Sequence, residues 1–222
     1  MEIIEINSKE FNEIITEPYF CYGLAAFNEL NKYKVDKVHY LLFKEGKYRL
    51  GLIVGQKGDC LLSPFSAPFG GFLFLKEYIR ISYIEDAIDC LIEWAVKEKI
   101  KEIIFTLPPS IYNETFINKQ INCLYRKGFM IKNIDLNYFF QTSKFENYTA
   151  SVWRNARKNY NIASSGNLSL IKCESIYDKK TAYDIIELNR KAKGYPLKMT
   201  WNQVAETISI INSDFFLVLN ND

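Results

Sequence analysis

The chain has 222 residues, 48% hydrophobic and 24% charged, a balance that excludes disorder over most of its length. Lys and Arg number 28 against 26 Asp and Glu, so the net charge of +2 lacks the basic excess of a dedicated DNA-binding domain. Mean hydropathy is −0.13, and no stretch approaches ~18 uninterrupted apolar residues, so no membrane span is expected.

The acidic start, MEIIEINSKEFNEII, has neither a basic n-region nor an apolar h-region, so no secretory signal is expected and the cytoplasm is the expected compartment. EIIEI then reads as a short strand. Asn7 or Ser8 can cap a helix running through Ile15, which Pro18 closes. Phe20 to Tyr33 has the 3.6-residue repeat of a helix at Leu24, Phe27 and Leu30. The period then changes. Lys37–Phe43 and Lys47–Val54 are β-rich runs joined by a Gly46 turn, and CLLS follows the Gln56–Asp59 turn. Three consecutive antiparallel strands are predicted.

Ser63 to Phe72, SPFSAPFGGF, is an apolar loop whose two prolines forbid a regular helix or a central strand. A long helix is predicted over Tyr83–Lys99, with Ile84, Ala87, Ile88, Leu91, Ile92, Ala95 and Val96 on one face. Ser82 is its expected N-cap, with Glu85 completing a capping box. A strand at Glu102–Leu107 precedes Pro108-Pro109. A helix follows over Asn113–Lys127, stopped by Gly128, and then a long strand over Phe129–Thr142. These elements make a mixed α/β domain over residues 1–145.

Residues 146–166 form a basic connector with a helix over Tyr148–Asn159. From 167 to 222 the chain begins again with a strand at Leu168–Cys173, helices at Ile176–Ala192 and from Thr200 to Ile211, and a strand at Phe215–Leu219 before Asn220-Asn221-Asp222. Strand, helix, helix, strand repeats the order of residues 3–43, and the last strand is expected as an unpaired apolar edge, favouring a homodimer or strand exchange. The five scattered cysteines contain no CxxC pair, so neither a metal site nor a disulfide frame is expected. The single histidine, His39, lies in a strand pattern and is expected to be structural.

SPFSAPFGGF after a three-strand meander, followed by SVWRNARKNYNIASSGNLSLIKC, resembles the Fem-type peptidyltransferases and their relatives among GNAT-fold acyltransferases. The resemblance covers most of the chain. It implies a GNAT-like mixed sheet flanked by helices, followed by the start of a second GNAT-like unit. It also implies N-acyltransferase, acetyltransferase-like activity on an amine, with acyl-CoA or aminoacyl-tRNA as donor and a small molecule or envelope precursor as acceptor. A tRNA partner belongs to that expectation. DNA does not. Two departures stand out. No [QR]-x-x-G-x-[GA] loop is present to hold a pyrophosphate at a helix N-terminus, and the second unit is expected to be truncated.

Candidate substrate-binding residues fall in three places. Arg154, Arg157 and Lys158 share one helix face at i, i+3 and i+4 and would converge on a phosphate or carboxylate, with Trp153 beside them for stacking; a solvated helix face is the alternative. Ser63, Phe69, Gly70 and Gly71 would let a substrate approach the backbone and offer it N–H groups; a tight crossover is the alternative. Tyr195 is a candidate proton donor or simply a loop aromatic. No nucleophile stands out, as expected when an amine attacks the donor directly and catalysis rests on positioning. A GNAT-like binding module without a donor site is the competing function.

Overall fold

The first predicted strands assemble into one sheet in the computed structural model, which describes residues 1–220. Strand β1 (Glu2–Ile6) leads to helix α1 (Ser8–Ile14), capped by Asn7, whose side chain accepts from the Glu10 amide at 2.9 Å. Helix α2 is shorter than predicted (Ala25–Leu30). Gly23 ends a separate 3-10 turn, and Asn28 Nδ2 donates to the Tyr22 and Leu24 carbonyls, holding the two turns apart. Strands β2 (Lys37–Glu45), β3 (Lys47–Lys57) and β4 (Cys60–Ser63) form the expected antiparallel meander. A two-residue strand, β5 (Leu73–Phe74), rejoins β3 after the proline-rich loop. Helix α3 (Ile81–Lys97) then carries the chain to β6 (Glu102–Phe105), parallel to β4, and α4 (Glu114–Arg126) follows. The sheet order is β1-β2-β3-β4-β6, with β5 on β3.

Helices cover both faces of this sheet, so alternate residues of one strand enter different cores. Leu41 and Phe43 of β2 pack with Ile84, Ile88 and Leu91 of α3, while Tyr40 and Leu42 pack with Phe11 and Ile15. Each of these side chains is at most 5% exposed. That double coverage explains why β2 reads as a continuous apolar run.

Several local expectations fail for physical reasons. The N-cap of α3 is Arg80, without a side-chain cap, and Glu85 pairs with Arg126 at 2.9 Å instead of closing a box with Ser82. Val96 points outward. The strand expected over Phe129–Thr142 does not form: period-2 patterning needs a neighbouring edge, and Met130, Ile134, Leu136 and Tyr138 are instead exposed. By contrast Gly128, at φ 87°, ends α4 as predicted, while Asn113, expected as the first helical residue, is its N-cap and accepts from the Phe116 amide.

The chain divides into two units, Met1–Asn137 and Tyr138 onward, so the connector expected over 146–166 falls inside the second. That unit contains α5 (Tyr148–Ser151), α6 (Arg154–Ser165), β7 (Leu168–Lys172), α7 (Ile176–Ala192), α8 (Trp201–Ile210) and β8 (Phe216–Asn220). The expected single helix over Tyr148–Asn159 is broken between Ser151 and Arg154, and α6 continues to Ser165. Strand β8 is not unpaired, because it runs antiparallel to β7 from Phe216↔Lys172 to Asn220↔Leu168. The expected terminal turn lies, beyond Asn220, outside the described residues. No helix among the described residues is long and apolar enough to cross a membrane.

Candidate functional site

The proline–glycine loop of the first unit leaves the end of β4 at Ser63 and returns to β3 through β5 at Leu73. Ser63, 2% exposed, donates from Oγ to the Ile53 carbonyl at 3.2 Å and accepts from the Gly71 amide at 3.0 Å. The Gly70 amide donates to the Thr106 carbonyl at 2.8 Å, just past the end of β6, and Thr106 N–H donates to the Ser63 carbonyl at 2.8 Å. Both glycine N–H groups are therefore committed inside the fold, which corrects the expectation that they face a substrate. The glycines are required for packing. A Cβ on Gly70 would lie 2.8 Å from Pro64 N and from Ser63 Oγ; one on Gly71, at φ 112°, would lie 2.8 Å from Leu107 Cδ2. The cavity beside them, between Phe20, Tyr22, Ser63 and Gly71, measures only about 10 Å³, room for at most one water.

Phe69 does reach the rim of this loop. Its ring packs against Phe20, Tyr22 and Tyr112 at centroid distances of 4.9 to 5.6 Å. Tyr112 is 46% exposed, so the cluster has an aromatic outer face. Beside it, Lys34 Nζ donates to Ser66 Oγ at 2.5 Å and Ser66 Oγ donates to Asn31 Oδ1 at 2.9 Å. The serine proton points away from the lysine, so this pair pins the loop and does not activate a nucleophile.

Sequence reasoning missed the residue that locks the loop from below. Gln120, fully buried on α4, accepts from the Phe72 amide at 2.9 Å and donates to Tyr19 Oη at 3.3 Å. Burial pushes the Tyr19 phenol well above the usual tyrosine range, against the Gln120 hydrogen bond that acts the other way. The signal was present: Gln120 sits between Phe116, Ile117, Cys123 and Leu124 on the buried stripe of α4, where an unpaired amide would be costly.

In the second unit, Arg154, Arg157 and Lys158 do share the N-terminal half of α6. No residue of α6 is buried, and its first turn contains no acid. Arg157 is partly spent locally, since Nη2 donates to the Ala150 carbonyl at 3.0 Å and satisfies the end of α5. Among the described residues, none of the three cations forms an ion pair with a carboxylate. Cations at the positive end of a helix oppose its dipole, so this face attracts an anion. Trp153 occupies the N-cap position and is 86% exposed, open to stacking. Tyr195 is 68% exposed, its amide donating to the Arg190 carbonyl at 2.9 Å and its ring 5.9 Å from the Arg190 guanidinium. It lies in an open loop and not in a cleft.

No protein-family model matches the chain, and no curated protein does. Among solved structures, the crystal structure of FemX superposes over 98% of this chain with a TM-score of 0.59 at 15% identity. The fold is Fem-like. The chain spans 57% of the length of that FemX chain.

Proposed function

We propose that the protein is a Fem-like acyl- or aminoacyl-transferase of the GNAT type, carrying an acyl group from acyl-CoA or aminoacyl-tRNA to the amine of a small or envelope-precursor acceptor. The likeness to FemX over nearly the whole chain carries this reading. The cationic face of Arg154 and Lys158, without a carboxylate partner among the described residues and with Trp153 exposed beside it, supports a phosphate-bearing substrate on α6. In such a transfer the neutral amine attacks the acyl carbon, the bond to the CoA sulfur or the tRNA hydroxyl oxygen breaks, and the proton lost by the amine ends on that sulfur or oxygen, which leaves as the free thiol or hydroxyl. The protein contributes positioning and electrostatics and needs no nucleophile of its own. The residues present fit a phosphate on α6 better than a carbonyl oxygen at Gly70–Gly71, whose amides are occupied.

That occupancy, together with the missing glycine-rich phosphate loop, favours a second reading: a GNAT-like binding module without its own donor site. Melting temperature separates the two. A ligand at a hundred times its Kd stabilises the folded protein by about 2.7 kcal/mol, an easily measured shift. A shift with acetyl-CoA or aminoacyl-tRNA supports the transferase. A shift with a UDP-sugar alone, abolished by Arg154→Ala with Lys158→Ala, supports the module. No shift with any phosphate-bearing ligand overturns both.

A further inference from the structure

Helix α5 is only four residues long, so its end leaves carbonyls without intrahelical donors. Val152 N–H and Ser151 Oγ both serve the Tyr148 carbonyl, at 3.1 and 2.8 Å. The carbonyls nearer the break are served from α6. Arg157 Nη2 donates to the Ala150 carbonyl at 3.0 Å and to the Val152 carbonyl at 3.4 Å. The backbone N–H of the same residue donates to the Trp153 carbonyl at 3.0 Å. The Val152 and Trp153 carbonyls belong to the two peptide units that flank the Trp153 Cα. Arg157 therefore grips the main chain on both sides of that one residue, with its side chain before it and its amide after it.

With φ −59° and ψ 152°, Trp153 leaves the helical region and turns the chain from α5 into α6. Packing does not fix its ring. The indole is 86% exposed, and among the described residues it stacks on no other ring. An aromatic side chain that must first be ordered loses part of its stacking contribution to that ordering. One whose backbone is already held has only its two side-chain torsions left to fix. The grip of Arg157 supplies that backbone order.

We infer that Arg157 is a positioning residue, a brace across the α5–α6 break that sets Trp153 beside Arg154 and Lys158 to receive the flat ring of a phosphate-bearing ligand. The inference rests on the phosphate-binding reading above and divides its basic triad by role. Arg154 and Lys158, one helical turn apart on α6, hold the phosphate. Arg157 acts through Trp153, because its guanidinium is turned back onto α5. Lysine in its place keeps the positive charge but ends one bond short of Nη2, so charge and brace can be separated by one substitution.

The test compares two probes on the full chain: uridine diphosphate, which has a ring, and inorganic pyrophosphate, which has none. In the wild type the ring is expected to tighten binding by about fivefold or more. Arg157→Lys is expected to bring that ratio close to one, as Trp153→Ala does, while pyrophosphate affinity stays within about twofold. Arg154→Ala is expected to weaken both probes alike. A ratio near one in the wild type, or a ratio kept in Arg157→Lys, overturns the inference. So does equal loss of both probes in Arg157→Lys, which would put Arg157 on the phosphate itself. Nitrogen relaxation of the free protein reads the brace without any ligand. The Val152 and Trp153 amides are expected to have order parameters near about 0.85 in the wild type and below about 0.6 in Arg157→Lys. Equal order in the two proteins overturns the brace. If the wild type binds neither probe, the phosphate reading falls, and relaxation alone decides whether the brace stands.

Discussion

The run β1-α1-α2-β2 and the run β7-α7-α8-β8 have the same order of elements, and each ends in an antiparallel pair. Their burial differs completely. In β2, Tyr40, Leu41, Leu42 and Phe43 are at most 4% exposed; in β8, Phe216 and Val218 are 52% and 63% exposed. The first pair gains β3 as a third neighbour and helices on both faces, whereas among the described residues β7 and β8 have only each other in their sheet. Pairing is thus set by local pattern, but burial needs further layers. The second unit keeps well-made local structure all the same: Thr200 closes a full capping box with Gln203 on α8, although that helix buries no residue.

The sharpest way to break this contrast is a matched pair of truncations. Leu52→Ala in β3, at 0% exposure, is expected to destabilise the first unit by about 2–5 kcal/mol. Leu170→Ala in β7, at 69% exposure, is expected to change stability by less than about 0.5 kcal/mol. Denaturant titrations of the full chain measure both, and equal costs would erase the distinction. Next in size is Gly70→Ala, which drives a methyl onto Pro64 N and should cost about 1–3 kcal/mol in the same experiment. A neutral result would mean that the loop has room for a substrate after all. Smaller than the Leu52 and Gly70 effects is that of Thr200→Ala, expected to cost α8 about 1 kcal/mol, seen as faster amide exchange confined to that helix.

The first unit was legible wherever sequence signals were local. Asn7 as a cap, Gly128 as a stop, and the meander from Lys37 to Ser63 follow from residue type and spacing alone. The misses share a cause. FMIKNIDLNYFF has a strand's composition, but composition cannot supply the adjoining edge, and the segment stays irregular. Ile186 of α7 follows Tyr183 at the i+3 spacing of one helix face, yet it is 48% exposed, and among the described residues of that helix only Ala182 and Tyr183 are buried. At the candidate site, the converging cations of α6 were readable from i, i+3, i+4 spacing. The fate of the Gly70 and Gly71 amides was not, because it depends on Thr106, far along the chain, and on a serine hydroxyl that sequence cannot orient.

The parallel contact between β4 and β6 sets an order on how the sheet is completed. β1 through β4 find their partners across short turns or a pair of short helices, but Cys60 meets Glu102 only after α3 has been made. During synthesis the outer edge of β4, with Leu61 and Leu62, stays bare until that crossover arrives. A nascent chain halted before Phe105 carries this stretch as its stickiest surface, and the speed at which α3 condenses governs how long it is at risk.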